Sequence, residues 1–232
     1  MSTPKLNYPI ILVNLKTYEQ STGSKAITLA KVAQTISDDT GVCIAVAPQL
    51  IDLKKIVETL DIPVFAQHID SITYGKNTGH ILPEAVRIAG ASGTLISHSE
   101  RRLELTGIES RINSAKETGL VQVVCVDTIE RGRQVASFNP DSIAIEPTEL
   151  IGSGIPVSKA QPEIVSGSVM AVHKVNPKIK VLCGAGITSG EDVSAAIKLG
   201  AEGVLVASGV VKAKNPGKIM MELAEAIRLT LQ

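Results

Sequence analysis

Three short segments of the sequence carry side chains that can move protons or stabilise negative charge. They are Asn14-Leu15-Lys16, His98-Ser99-Glu100-Arg101-Arg102 and Glu146-Pro147. A carboxylate can take a proton from carbon, an imidazole can donate a hydrogen bond to a carbonyl oxygen, and an ammonium group can stabilise an enediolate. Each residue type alone is common in loops. Brought to one place, the three favour proton transfer next to a carbonyl group, which requires neither a metal nor an organic cofactor.

The elements that must bring these segments together repeat along the chain. Short apolar runs alternate with segments whose apolar residues recur at helical spacing. The apolar runs span 8–15, 42–47, 64–69, 93–97, 121–126, 142–145, 180–183 and 203–206, and the helical segments span 25–36, 50–60, 83–89, 109–118, 129–138, 162–175, 189–199 and 216–229. Strands that are apolar on both faces, in eight such units, predict an α/β fold, a single-domain (β/α)₈ barrel over residues 1–232. An open doubly wound sheet is the alternative on pattern alone.

In such a barrel the residues that follow the strands share one mouth. The three segments above follow strands one, four and six, while strands seven and eight end in Gly184-Ala185-Gly186 and Ala207-Ser208-Gly209. Small-residue turns expose backbone N–H groups that can hold a phosphate. The turn after strand seven also approximates a dinucleotide fingerprint, but the next strand lacks the acidic residue that this fingerprint needs. The five strand ends therefore predict one site for a phosphorylated ligand.

The segment after Glu146 is longer than the about 2 to 6 residues that usually connect a strand to its helix. It consists of Pro147, Thr148, Glu149, Leu150, Ile151 and Gly152, followed by Ser153-Gly154. Its apolar centre lies between a proline and small residues. We interpret residues 147–152 as a lid that excludes water from the ligand and gives a backbone N–H to its phosphate. Packing of Leu150 and Ile151 elsewhere on the barrel is the alternative.

Composition limits the partners and the location. The 232 residues include 23 Lys+Arg and 23 Asp+Glu, and aromatic residues make up 2%, so neither nucleic acid nor an anionic membrane is an expected partner. The three cysteines lie in apolar runs without metal-ligand spacing. The N-terminal residues lack an apolar signal core, and no apolar run has the length of a membrane span. We expect a cytoplasmic protein that binds no metal.

At these positions the sequence resembles the triosephosphate isomerase family, and the resemblance covers the whole barrel. Asn14-Leu15-Lys16 is similar to the family's Asn-x-Lys, and His98-Ser99-Glu100-Arg101-Arg102 matches its His-Ser-Glu-Arg-Arg. Glu146-Pro147 with Ile151-Gly152-Ser153-Gly154 resembles the catalytic glutamate and its lid. The lid tryptophan and the Gly-Gly-Ser turn of bacterial and eukaryotic members are absent here, which is typical of the shorter archaeal branch.

This resemblance implies a cofactor-free isomerase that interconverts D-glyceraldehyde 3-phosphate and dihydroxyacetone phosphate, in glycolysis and gluconeogenesis. It implies that Glu146 is the base and that His98 and Lys16 are electrophiles. The substrate-binding groups that it implies are Asn14, Lys16, Ile151, Gly186, Ala207 and Ser208, with Glu100 in a supporting role. It also implies a homo-oligomer, because residues 70–80 fall where the family forms its dimer contact and the archaeal branch forms tetramers.

Two other functions remain as alternatives on the residues themselves. One is another phosphate-binding barrel enzyme, such as a sugar-phosphate aldolase, which uses a Schiff-base lysine deep in the barrel or a pair of carboxylates. The strand ends offer neither arrangement clearly. The other is a non-catalytic sensor of a phosphorylated ligand, which has no need of Lys16, His98 and Glu146 together.

Overall fold

The computed structural model describes residues 6–147 and 156–232. Parallel strands alternate along the chain with helices. The strands are β1 (Ile10–Asn14), β2 (Cys43–Ala47), β3 (Phe65–Ala66), β4 (Gly93–Ile96), β5 (Val121–Val126), β6 (Ser142–Ile145), β7 (Lys180–Cys183) and β8 (Gly203–Val206). The helices are α1 (Ser24–Thr40), α2 (Leu50–Thr59), α3 (Pro83–Ile88), α4 (Leu105–Thr118), α5 (Ile129–Ala136), α6 (Val157–Ala160), α7 (Pro162–Val175), α8 (Gly190–Lys198), α9 (Ser208–Val211) and α10 (Pro216–Thr230), with 3-10 turns at Glu19–Ser21 and Ser99–Arg101.

The strands close into a barrel. They pair in the order β2-β1-β8-β7-β6-β5-β4-β3, and the two end strands meet at a parallel bridge between Val46 and Val64. There the Val46 N–H donates to the carbonyl oxygen of Pro63 at 3.1 Å. The predicted (β/α)₈ barrel is therefore confirmed and the open sheet is wrong, while the extent of the domain, residues 1–232, stays a prediction.

The barrel interior is built from every second residue of the strands, because successive side chains point to opposite faces. In β1, Ile10 and Leu12 belong to the interior cluster, whereas Ile11 and Val13 pack in the layer between sheet and helices. At β6 the same alternation, with Ala144 inside and Ile145 outside, continues to Glu146 and turns it inward.

Three of the element boundaries that differ from the pattern concern β3, β1 and α4. Strand three, predicted over 64–69, contains only Phe65–Ala66, and the next side chain, Gln67, bonds the carbonyl oxygens of Lys16 and Ala47. β1 begins at Ile10 and not at residue 8, since Pro9 has no N–H for a strand ladder. α4 begins at Leu105 and not at residue 109, because Gly107 interrupts the pattern without ending the helix.

Two features are absent from the described residues, a membrane-spanning helix and a metal-binding cluster. No helix in residues 6–147 and 156–232 combines the length and the apolarity that crossing a bilayer requires. In the same ranges, no group of three or more His, Cys, Asp or Glu side chains is arranged to hold a metal ion.

Candidate active site

Glu146 lies at the inward position that follows β6. Its N–H continues the strand pairing by donating to the carbonyl oxygen of Val126 at 2.8 Å. The residue is 7% exposed, and its Oε2 atom has no hydrogen-bond partner among the described residues. A buried carboxylate oxygen without a partner lowers the stability of the fold. The arrangement leaves this oxygen available to a ligand.

The immediate neighbours of Glu146 are small and uncharged. A Cβ atom at Gly184 would lie 3.1 Å from Cγ of Glu146 and 3.1 Å from the carbonyl oxygen of Leu205, so any larger residue would crowd the carboxylate. Burial, together with the charge of Glu146, raises the pKa of the Cys125 thiol well above its ordinary value. The same causes raise the pKa of Cys183 to about 12. Both thiols are therefore neutral at pH 7 and add no second negative charge beside the carboxylate.

His98 is the N-cap residue of the 3-10 turn Ser99–Arg101. Its Nδ1 atom accepts a hydrogen bond from the Glu100 N–H at 3.2 Å. A ring nitrogen that accepts from a backbone N–H carries no proton, so the neutral ring has its proton on Nε2. Nε2 lies 3.8 Å from Oε2 of Glu146. The imidazole thus presents an N–H donor to the space that the carboxylate faces.

Lys16 follows β1 in the left-handed backbone conformation, with φ 48°. Its N–H donates to Oδ1 of Asn14 at 3.0 Å, which fixes the turn. Its ammonium lies 2.8 Å from Oε1 of Glu100, and the Lys16 side chain is 10% exposed. Glu100 therefore contacts the ammonium group through its carboxylate and the imidazole through its N–H.

Gln67 is a site residue that the sequence reasoning missed. Its Nε2 atom lies 3.0 Å from the carbonyl oxygens of both Lys16 and Ala47 and 3.4 Å from Oδ1 of Asn14. One amide group thereby joins the ends of β1 and β2. The available signal was a polar residue within the apolar run 64–69, which the pattern assigned to the interior of a strand.

One cleft at the carboxyl ends of the strands collects the predicted residues. Its lining includes Asn14, Lys16, Tyr18, His98, Glu146, Ala185, Gly186, Ile187, Thr188, Ala207, Ser208 and Gly209. Glu100 lines an adjoining cavity of about 350 Å³ that shares Asn14, Lys16 and His98 with the cleft. Pro147 directly follows Glu146, whereas Thr148, Glu149, Leu150, Ile151 and Gly152 lie outside the described residues.

Comparison with known proteins decides the family. The family model described as Triosephosphate isomerase matches residues 9–227. The chain belongs to the triosephosphate isomerase family. Triosephosphate isomerase of Methanocaldococcus jannaschii is 55% identical over 218 residues, which are 94% of this chain and 100% of that protein. The Methanobacterium bryantii protein of the same name is 53% identical over 219 residues, which are 94% of this chain and 97% of the relative.

The fold agrees with the family. A crystal structure of triosephosphate isomerase from Bartonella henselae matches with a TM-score of 0.77 at 20% identity, over 95% of this chain and 99% of that one. At this identity the likeness concerns the fold alone. The archaeal relatives, at 50% identity and above, confirm the predicted archaeal-type family and the predicted isomerase. They do not support the alternatives of an aldolase or a sensor.

Proposed function

We propose that Glu146, His98 and Lys16 catalyse the interconversion of D-glyceraldehyde 3-phosphate and dihydroxyacetone phosphate through an enediolate. The isomerase activity and the triose phosphate substrate follow from the family, and the residue roles are the proposal. The observation that carries them is the buried pair in one cleft, the Oε2 atom of Glu146 without a partner and the Nε2 atom of His98 3.8 Å away. The reaction has no net oxidation, so acid–base groups are sufficient and the proposal includes no metal or organic cofactor.

The proton steps follow from the directions of these groups. Glu146 takes a proton from the carbon next to the carbonyl group, and the electron pair of that C–H bond forms the double bond of the enediolate. The carbonyl oxygen becomes negative and accepts a hydrogen bond from Nε2 of His98. A proton then moves between the two substrate oxygens, and Glu146 returns its proton to the neighbouring carbon. All three side chains end in their starting states.

Lys16 stabilises the negative charge of the enediolate, and Asn14 binds substrate beside it. The ammonium is already held 2.8 Å from Glu100 before substrate binds, and Gln67 and Asn14 hold the backbone of the turn. A donor that is fixed in advance needs little reorganisation during the reaction, and the loss of one such donor costs about 3 to 4 kcal/mol.

The proposal assigns the phosphate group to the turns that follow β7 and β8. Gly186 has φ 74°, a conformation that favours glycine, and it lines the cleft with Ala207 and Ser208. Ser208 begins α9, and the first N–H groups of a helix have no acceptor within it. These features support backbone binding of the phosphate. The contribution of Ile151 and the lid over residues 147–152 stay predictions from the sequence.

We further propose that the chain forms a homo-oligomer through residues 70–80. The segment 71–80 is mostly exposed, and Tyr74 is 68% exposed. At its base the Asp70 carboxylate is bonded to His68, Arg111 and the N–H of Ile81. An exposed segment 71–80 whose base is held by Asp70 is suited to insert into the cavity of about 350 Å³ beside Lys16 of a second copy. Light scattering distinguishes the dimer from the tetramer that the archaeal branch implies.

A cytoplasmic location is also part of the proposal. The three cysteines, Cys43, Cys125 and Cys183, are buried and free, as is usual in a reducing compartment. The reaction of the family is a step of glycolysis, and gluconeogenesis uses the same step in reverse.

The experiment that tests this function is an isomerase assay on chain that has been dialysed against a chelator. We expect full turnover of D-glyceraldehyde 3-phosphate without added metal, and little turnover of glyceraldehyde that lacks the phosphate. Activity that depends on an added metal ion would contradict the acid–base mechanism. Equal rates on the two substrates would contradict the phosphate site.

A further inference from the structure

A buried carboxylate that the proposed mechanism does not use ties the turn after β7 to α6. Asp192, in the first turn of α8, is 2% exposed, and its Oδ1 atom lies 2.8 Å from Nζ of Lys159 in α6. Ionised side chains are almost never this buried unless they are paired. We infer that Asp192 and Lys159 are positioning residues that hold the turn at residues 184–189 in its phosphate-binding shape. The inference rests on the phosphate site of the proposed function.

One carboxylate oxygen of Asp192 accepts hydrogen bonds from the turn. Its Oδ2 atom accepts hydrogen bonds from the N–H groups of Thr188 at 3.1 Å and Ser189 at 3.0 Å, and the Thr188 hydroxyl lies at 3.2 Å. Thr188 lines the cleft together with Gly186. These bonds fix the backbone at the carboxyl-terminal end of the turn. The remaining N–H groups of the turn are thereby held in one geometry.

The other oxygen connects the turn to α6. Besides the ion pair with Lys159, the Ser158 hydroxyl donates to the carbonyl oxygen of Asp192 at 3.1 Å. At the start of the helix, the Val157 N–H donates to the carbonyl oxygen of Ala185 at 3.3 Å. α6 is therefore bonded both to the turn itself and to the residue that holds it. A change at Lys159 removes one of these connections and leaves the others.

The pair also compensates charge beside the proposed phosphate site. Burial alone would raise the pKa of the Asp192 carboxyl, but the Lys159 ammonium and the Thr188 N–H hold that pKa below its ordinary value. Asp192 is therefore ionised and would repel a phosphate dianion if it were unpaired. Asp192 and then Glu191 raise the pKa of Lys159, so the ammonium stays charged and offsets this repulsion.

A helix cap alone would not need the ion pair. Ser189 Oγ accepts the Asp192 N–H at 3.4 Å, while Oδ2 of Asp192 accepts the Ser189 N–H. This reciprocal capping box begins α8, and it is complete without Oδ1 and without Lys159. The ion pair reaches a different element, which a positioning role requires and a capping role does not.

The test changes the exposed partner, so that the capping box of α8 stays intact. Lys159→Met keeps the aliphatic stem and removes the charge, and Lys159→Arg keeps the charge. Lys180→Met is the matched control, because it removes a lysine–glutamate pair of 2.6 Å at the opposite end of β7. The measurements are KM and kcat for D-glyceraldehyde 3-phosphate, Tm, and the dissociation constant of inorganic phosphate by NMR titration, which does not require turnover.

We expect Lys159→Met to raise both KM and the phosphate dissociation constant about fivefold, with kcat within about twofold of wild type. Lys159→Arg should restore both constants, and Lys180→Met should change Tm alone. Unchanged constants in Lys159→Met would overturn the inference, whatever its Tm, and would leave the isomerase proposal intact. A wild-type chain that binds phosphate but does not isomerise would contradict the proposed function and not this inference.

Discussion

Carboxylates at the two ends of the barrel have different charged partners. At the amino ends of the strands, Glu202 has Lys180 at 2.6 Å and the imidazole of His173 at 3.9 Å. At the carboxyl ends, Glu146 has the imidazole of His98 at 3.8 Å, and no lysine or arginine forms an ion pair with it among the described residues. A buried charge without a partner lowers stability, and such groups concentrate where they do chemistry. Under the proposed mechanism, the contrast separates a structural carboxylate from a reactive one within a single fold.

The largest expected effect comes from exchanging the two carboxylates for amides. Glu146→Gln should lower kcat by several powers of ten, because the base is lost, while the affinity for inorganic phosphate stays within about tenfold. Glu202→Gln, the control, should keep kcat within about threefold and lower Tm. The coupled isomerase assay measures both variants. A Glu146→Gln chain that retains turnover would refute the contrast.

The next effect concerns the donors that face the developing oxygen charge. His98→Asn and Lys16→Ala should each lower kcat by about a hundredfold to a thousandfold, since each removes a fixed donor. His173→Asn is the control, because His173 accompanies the paired carboxylate at the other end. Steady-state kinetics on the three variants measure the effect. Mild losses at both His98 and Lys16 would place the reactive centre elsewhere.

A smaller effect is expected from crowding the reactive carboxylate without removing it. Gly184→Ala would bring a methyl group to 3.1 Å from Cγ of Glu146, so the carboxylate must shift, and we expect kcat to fall about tenfold to a hundredfold. At Gly132, in α5, the nearest atoms to an added Cβ are 3.7 Å away. Gly132→Ala should therefore keep kcat and stabilise the chain by about 0.5 to 1 kcal/mol. Similar kinetics for the two alanine variants would argue against a tight fit around Glu146.

The smallest effect on turnover is expected at Asp70, a paired carboxylate at the catalytic end. Burial alone would raise its pKa, but the Ile81 N–H and the His68 and Arg111 side chains lower it from 3.8 to about 2. A folded-state pKa below the unfolded value gives stability that is present above pH 3.8 and is lost as the pH falls towards about 2. Asp70→Asn should lower Tm at pH 7 and lose less unfolding free energy than wild type over that acid range. Denaturant unfolding across the range measures this, and an identical acid dependence would contradict the assignment.

Periodicity was sufficient to predict the fold and the inward positions. Glu146 follows β6 on the inner face because side chains alternate along a strand, and β5, β6, β7 and β8 have the predicted bounds. The strand ends were therefore recognisable from the sequence: Glu146 directly follows β6, Lys16 and His98 lie two residues beyond β1 and β4, and all three line one cleft.

What the sequence did not predict depends on contacts between distant segments. The apolar run 64–69 places Gln67 in a strand, because nothing in its own neighbourhood reveals that its amide bonds the ends of β1 and β2. The close approach of Gly184 to Glu146 and the ion pair of Asp192 with Lys159 are likewise set by tertiary packing. One-dimensional patterns carry no such distances.

The measurement that tests the role of the unpaired carboxylate most directly is isotope incorporation at the substrate carbon. Dihydroxyacetone phosphate is isomerised in D₂O, and the product is analysed by proton NMR. If Glu146 takes a carbon-bound proton and exchanges it with solvent before returning it, the D-glyceraldehyde 3-phosphate formed by wild type carries deuterium at C2. Glu146→Gln should form this labelled product at less than about a thousandth of the wild-type rate. Incorporation by Glu146→Gln at the wild-type rate would contradict the assignment of Glu146 as the base.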